Sequence, residues 1–373
     1  MLTPEQAQQI VLAHVRSLGL ERVALLDALG RILGVDVHAS YDNPPHDNSS
    51  MDGYAVRYED IANATPEQPA VLEMIEDIPA GKVGEKTVGK AQASRIMTGA
   101  PVPAGIDTVI RVEDTRADGS RIEILDPDEL GANIRRRGED MKEGELLIRT
   151  GVELGPGEVG VLASVQRTFV PVFRRPTVTI LSTGDELVEL EEPLEPGKIV
   201  NSNTASLAAM ALAHGAVPVM LPTAPDDLHE IRRAVETALA GDFVVCSGGV
   251  SVGEYDFVKN VLDEMGAETI LWRVAMKPGK PQAFGIADGK PIFGLPGNPV
   301  SSLTVFELFV RPALFKMAGY TKLLRPTFKA VLETDIKNDT SRVNFMRAII
   351  EKHNGRYHAK ITGDQGSGIL YSL

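Results

Sequence analysis

Apolar positions along the chain follow two different periods. Ala7, Ile10, Val11, Val15 and Leu18 recur at helical spacing. A Thr3/Gln6 capping box and Pro4 at the first helical position open this helix, and Gly19 closes it. A second, short helix is expected over Val23 to Leu29. From about Val35 to Phe173 the texture changes. Glycine and proline recur every few residues, and apolar runs shrink to stretches such as Val71-Leu72-Glu73-Met74-Ile75, Val109-Ile110-Arg111-Val112 and Arg121-Ile122-Glu123-Ile124. This predicts small β-structure with many turns, with a helix from about Pro156 to Ser164.

Between about Arg175 and Gly319 the two periods alternate regularly. Strands are expected at Thr177–Ser182, Val217–Leu221, Phe243–Ser247, Thr269–Val274 and Pro291–Leu295. Helices are expected at Thr204–His214, Asp227–Ala240, Tyr255–Met265 and Pro299–Met317. Such an order predicts a mostly parallel, doubly wound α/β sheet. From Leu324 the chain is strand-like again (Phe328–Leu332, Val343–Ile350, Tyr357–Ile361), which predicts a small C-terminal β domain. At 373 residues the chain exceeds what one core organises. The reading is a multidomain α+β protein: a discontinuous helical N-terminal domain (1–34 with 140–174), a β-rich subdomain (35–139), the α/β domain (175–323) and the C-terminal β domain (324–373).

Composition narrows the function classes. Thirty-eight basic against fifty-one acidic residues give a net charge of −13, which argues against a nucleic-acid binder. The same charge requires any phosphate-bearing ligand to meet a local basic island, backbone amides or a divalent cation. No apolar run approaches membrane-spanning length and no signal pattern opens the chain, so a cytoplasmic location is expected. The single cysteine, Cys246, excludes an internal disulfide framework, and its apolar run reads as a small buried hydrophobe. The seven histidines show no metal-ligand spacing.

Every unusual peptide of the α/β domain follows an expected strand: Ser182-Thr183-Gly184-Asp185-Glu186, Ala224-Pro225-Asp226-Asp227, Ser247–Asp256, Lys277-Pro278-Gly279-Lys280-Pro281 and Leu295-Pro296-Gly297-Asn298-Pro299-Val300-Ser301-Ser302. In a parallel sheet these loops emerge together at the carboxyl edge, where open α/β proteins bind ligands. Glycine loops admit phosphate oxygens to backbone amides, and helices starting just beyond add their N-terminal partial charge. The candidate ligand-binding residues are therefore Thr183, Gly184, Ser247, Gly248, Gly249, Ser251, Gly253, Pro296, Gly297, Asn298, Pro299 and Ser301. Lys277 and Lys280 supply mobile positive charge. Glu186, Asp226 and Asp256 supply hard oxygen ligands for Mg²⁺. Each motif also has a purely structural alternative: a turn for Ser-Gly-Gly, a helix cap for Asp227, a cap at Asn298 with Pro299 in the first helical position.

A second constellation lies outside this domain. It comprises Asn43–Val56, Ser94–Pro103 and Asn133-Ile134-Arg135-Arg136-Arg137-Gly138-Glu139-Asp140. The arginine triplet reads as the basic island that an acidic protein needs.

Taken in order, Met51–Val56, Met97-Thr98-Gly99-Ala100, Arg135–Asp140, Ser182–Leu187, the Ser247–Asp256 loop, Lys277–Pro281 and Leu295–Ser301 resemble the bacterial molybdopterin molybdotransferase family, shared with the gephyrin E domain. The resemblance covers nearly the whole chain. It implies an elongated homodimer of four-part subunits and an α/β domain similar to the molybdopterin adenylyltransferase fold. The implied reaction inserts molybdenum from molybdate into adenylylated molybdopterin, with Mg²⁺ and release of AMP. By position, Glu186, Asp226 and Asp256 hold Mg²⁺, and Lys277 and Lys280 meet the substrate. Asp52, Thr98, Arg135 and Asp140 shape the pterin and molybdate side, with a supporting role for the arginines as the alternative for Asp140. The adenylyltransferase and recipient molybdoenzymes are the implied partners. His46 stands where the family usually has an apolar residue, Glu254 replaces a common aspartate, and Leu373 ends the chain earlier than is usual, so the last β domain is expected to be incomplete. Two rival readings are an adenylyltransferase that makes the adenylylated pterin and a non-catalytic dimeric scaffold; the N-terminal motifs weigh against the first, and the intact carboxylates and lysines against the second.

Overall fold

Three apolar segments, Thr177–Ser182 (β1), Phe243–Ser247 (β3) and Lys290–Leu295 (β6), are buried at almost every position, as the interior of a parallel sheet covered on both faces requires. With Val217–Met220 (β2), Glu268–Trp272 (β4) and Ala283–Ala287 (β5) they form a six-stranded sheet in the order β2-β1-β3-β6-β5-β4. In this computed structural model, which describes residues 1–249, 257–336 and 341–373, β2, β1, β3 and β6 are parallel. Strand β5 runs antiparallel to both of its neighbours.

In this sheet the expected strands are present, but β5 was not anticipated; beyond it, the expected strand Val343–Ile350 is split into Val343–Asn344 and Ala348–His353 in different sheets. The signal for β5 was the Asp288-Gly289 dipeptide, which turns β5 into β6 with both residues at positive φ (49° and 71°), the geometry of a tight hairpin. Two reversals cancel. Strand β4 therefore points the same way as the parallel strands, and the lysine loop after it still leaves from the carboxyl edge.

Alternation along each strand divides the core. Val178, Ile180, Phe243, Val245, Phe293 and Leu295 face one side, where Leu207, Ala211, Phe306 and Val310 cover them. Leu181, Val244, Cys246 and Ile292 face the other, against Ile231, Val235 and Val261. The Phe243 and Phe293 rings stack at 5.0 Å between adjacent strands. The N-terminal helix, Pro4–His14, carries the expected capping box and buries Ala7 and Val11 in the first of these cores, together with Val15 just past its end.

Two helical expectations are corrected. Leu20–Ala24 is a strand paired with Phe169–Phe173, and only Leu25–Ala28 makes a single 3₁₀ turn, because the apolar Phe-Val-Pro-Val-Phe partner offers a ladder that outweighs local helix propensity. The long final helix is Pro299–Val305 and Arg311–Met317 joined by a π-type turn, Phe306–Val310. Pro312 provides the cause, since it has no N–H to continue a regular ladder.

By contact, the chain divides into two compact units. Met1–Val35, Thr150–Gly160 and Arg167–Leu373 form the unit just described, which also holds a three-stranded C-terminal sheet of Val331–Leu332, Arg356–Ile361 and Ala348–His353. Asp36–Arg149 and Val161–Gln166 form the other. Its sheet runs in the order Thr108–Arg111, Gly53–Val56, Gln92–Ile96, Ala70–Ile78, Arg121–Ile124, Thr115–Asp118 around Tyr54, Val56, Leu72, Ile110 and Ile122. Among the described residues no helix is long and apolar enough to cross a membrane.

Gly53 shows how tightly this second sheet is built. A Cβ there would lie 1.9 Å from the Ile110 carbonyl oxygen, a backbone atom that cannot swing aside. Gly53→Ala is expected to destabilise the protein by about 3 kcal/mol or more, as overpacking against backbone does. Chemical denaturation measures this, and an unchanged midpoint would contradict the steric role.

Candidate active site

Strands β1, β3 and β6 finish level with one another: Ser182 pairs with Ser247, and Ser247 with Leu295. The ladder then continues past the strand ends, from Thr183 N to Ser247 O (3.0 Å) and from Gly248 N to Leu295 O (3.1 Å). Three of the loops singled out from sequence thus begin side by side. Gly248 has φ +91°, and a Cβ there would come within 2.6 Å of the Thr183 carbonyl, so only glycine fits.

These loops border a cavity of about 600 Å³, a size suited to a nucleotide-like ligand. Its lining includes Thr183, Gly184, Glu186, Asp226, Ser247, Gly248, Gly249 and Pro296–Pro299, together with Pro281 from the lysine loop. Thr183 is buried and its Oγ1 has no partner among the described residues. A buried hydroxyl left this way costs roughly 1–3 kcal/mol until something meets it. Ser301 is buried within the helix beyond and is not among the lining residues. Ser251, Gly253 and Asp256 lie outside the described residues.

Two structural alternatives are resolved. Asp227 caps the helix Leu228–Ala238, accepting from His229 N (2.9 Å) and Glu230 N (3.0 Å). Asn298 precedes Pro299 at a helix start, but its side chain makes no capping bond and lines the cavity instead.

Sequence reasoning missed the asparagines of Asn201-Ser202-Asn203-Thr204. Asn201 caps the helix Ser202–Ala213 and donates to Thr223 Oγ1 at 2.8 Å. Asn203 donates to both Ser247 Oγ and Gly297 O, each at 2.8 Å. The cap was legible as an asparagine before a helical run; the second contact depends on three-dimensional placement.

Acidic side chains also line the cavity. Glu186 and Asp226 both line it, and Asp226 N donates to Asp185 Oδ1 at 3.1 Å. Asp226 is exposed at its surface, yet desolvation, with the charges of Asp185 and Glu186, outweighs an opposing backbone hydrogen bond at Asp185 and holds its carboxyl above the ordinary range. No group of three metal-ligating side chains occurs among the described residues. A pair of crowded carboxylates is nonetheless what a divalent cation relieves, and Mg²⁺ is commonly held by one or two carboxylates plus water and phosphate. Glu186 and Asp226 fit that requirement.

Positive charge comes from the lysine loop. Lys277 is exposed and Lys280 half-buried, and neither side chain has an ion-pair partner among the described residues. The backbone beneath them is fixed: Met276–Lys277 pairs with Val343–Asn344, and Phe345 N donates to Lys277 O at 2.8 Å. Gly279 seats the loop on Val305 and Met276, where a Cβ would come within 2.7 Å of Val305 Cγ2.

In the other unit, Asp52 and Thr98 meet directly. Asp52 Oδ1 accepts from Thr98 N (2.7 Å) and Thr98 Oγ1 (2.8 Å), and these bonds, with the charge of Arg95, hold its carboxyl below the ordinary range. The arginine triplet is not a free basic island. Arg136 pairs with Asp47 (2.7 Å) and Arg137 with Asp42 (2.6 Å). Only Arg135, exposed and in register with Asn48, lacks a carboxylate partner among the described residues. Asp140 accepts from Asn43 Nδ2 at 2.8 Å, so it braces the Asn43 turn and not the arginines.

The raised carboxyl of Asp226 gives a signed prediction. Ionising it costs folding stability; the cost is absent below the ordinary carboxylate range and complete once pH passes the raised value. Asp226→Asn is therefore expected to melt higher than the wild type near neutral pH, with the gain vanishing in acid. Thermal melts across pH test this, and a gain that persists in strong acid would contradict it.

Residues 2–165 match the MoeA N-terminal region (domain I and II), 179–316 a probable molybdopterin binding domain, and 329–373 the MoeA C-terminal region (domain IV). A molybdopterin molybdenumtransferase from Nostoc sp. strain PCC 7120 is 40% identical over 359 residues, spanning 95% of this chain and 82% of that protein. One from Bacillus subtilis is 39% identical over 363 residues, spanning 95% and 83%. A molybdopterin biosynthesis moeA protein from Pyrococcus horikoshii OT3 superposes with a TM-score of 0.83 at 34% identity, covering 100% of this chain and 93% of that one. Fold, motif order and identity over nearly the full length together establish that the chain belongs to the molybdopterin molybdenumtransferase (MoeA) family.

Proposed function

We propose that this chain inserts molybdenum from molybdate into adenylylated molybdopterin, releasing AMP, as a homodimer in the cytoplasm. The observation that carries the reading is the pairing, in one cavity, of a glycine-rich cradle with the carboxylates Glu186 and Asp226. Phosphate oxygens of the phosphoanhydride bind at the amides of Gly248 and Gly249 and at Thr183 Oγ1, a hydroxyl with no partner among the described residues. Glu186 and Asp226, with Asp256, hold Mg²⁺, which when bound offsets the charge of the phosphates. Lys277 and Lys280 carry the positive charge that lets two anions, dithiolene and molybdate, approach each other. Asp52, Thr98, Arg135 and Asp140 act on the pterin and molybdate, Arg135 as a cation with no carboxylate partner among the described residues and Asp52 as an acceptor fixed by Thr98. Cleavage of the anhydride by water separates AMP from the pterin phosphate as molybdate oxygen is exchanged for dithiolene sulfur, and it makes insertion effectively irreversible. An adenylyltransferase confined to the α/β domain has no use for the second constellation.

A single-turnover assay tests the proposal, with AMP release and protein-bound molybdenum followed together after mixing with adenylylated molybdopterin, molybdate and Mg²⁺. Matched yields are expected. Alanine at Glu186, Asp226 or Asp256 should slow insertion at least about tenfold while leaving folding intact, the scale of losing one electrostatic partner. Full activity in all three variants would remove the metal role, and binding with neither product would favour the scaffold.

A further inference from the structure

Asn203 belongs to none of the motifs that mark the site. It stands half-buried in the first turn of the helix Ser202–Ala213 and lines the cavity. Its Nδ2 lies 2.8 Å from Gly297 O and 2.8 Å from Ser247 Oγ. A carbonyl oxygen can only accept, so contact with Gly297 fixes which end of the amide is the NH₂ group. The same group then donates to Ser247, which makes Ser247 Oγ an acceptor on that side. Ser247 is 2% exposed and lines the cavity, and its own proton has no acceptor among the described residues. With one lone pair occupied by Asn203, the O–H is left to find an acceptor elsewhere, and the cavity is what Ser247 lines.

We propose that Asn203 is a positioning residue. By donating to Ser247 Oγ and Gly297 O at once, it turns the Ser247 hydroxyl proton onto a phosphate oxygen of the substrate. The inference rests on the reading that this cavity takes an adenylyl phosphoanhydride. It adds to that reading a residue that touches no phosphate itself but decides whether its neighbour can.

A double-mutant cycle on the full-length protein, read as AMP affinity by titration calorimetry, tests it. Asn203→Ala and Ser247→Ala are each expected to weaken AMP binding about tenfold, the scale of a hydrogen bond to a charged group. Because Asn203 acts on the phosphate only through the Ser247 hydroxyl, the double variant should lose about tenfold as well, whereas independent effects would multiply to about a hundredfold. Asn203→Ser replaces Asn203→Ala in the cycle if the alanine variant does not fold. Multiplied losses, an Asn203 variant that binds AMP like the wild type, or a wild type that does not bind AMP would each overturn the inference. The cycle is separate from molybdenum insertion. Multiplied losses in a protein that inserts molybdenum would remove the role of Asn203 and leave the insertase, while coupled losses in a protein that inserts none would do the reverse.

Discussion

The level ending of β1, β3 and β6 is the constraint on which the site depends. Because the side-chain period of a strand is two, a one-residue slip of any of them would move its apolar residues to the opposite face and its loop along the edge. Large buried side chains on both faces, Phe243 and Phe293 on one and Val244 and Ile292 on the other, oppose such a slip. With register held, Thr183, Gly248 and Pro296 share one edge, and the bonds from Thr183 N and Gly248 N extend the ladder into the loops. The binding surface is thus a continuation of the sheet.

Charge is the second constraint. The chain carries a net charge of −13, and its function requires anions to approach. Much of the nearby basic charge is already committed, since Arg136 and Arg137 neutralise Asp47 and Asp42 and so stabilise the turns that carry them. Among the described residues, Arg135 in one unit and Lys277 and Lys280 in the other have no carboxylate partner. The cavity between the glycine loops relies on neutral donors, namely backbone amides and the hydroxyls of Thr183 and Ser247. Its carboxylates Glu186 and Asp226, the latter held above the ordinary range, account for why a divalent cation belongs in the reading.

Most of the fold was legible because its elements are strongly periodic. The β1, β3 and Arg121–Ile124 strands and the Pro156–Ser164 helix fall where alternation and caps place them. The failures share a cause in tertiary context. Leu20–Ala24 became a strand because Phe169–Phe173 lies opposite, and Ala283–Ala287 has a central glycine and only one β-branched residue to announce it. Among candidate site residues, Gly248, Glu186 and Asp226 could be read from motif and position. Pairing cannot be read that way: nothing in Arg-Arg-Arg says that two of the three are neutralised by carboxylates some ninety residues away in sequence. Asn203 was invisible for the same reason.

A crystal structure of the protein with AMP, Mg²⁺ and molybdate would decide whether this cavity is the nucleotide and metal site. The AMP phosphate is expected in the cradle of Thr183, Gly248 and Gly297, with electron density for a metal ion against Glu186 and Asp226. A nucleotide bound elsewhere, or a phosphate in that cradle with no metal at the two carboxylates, would contradict that assignment.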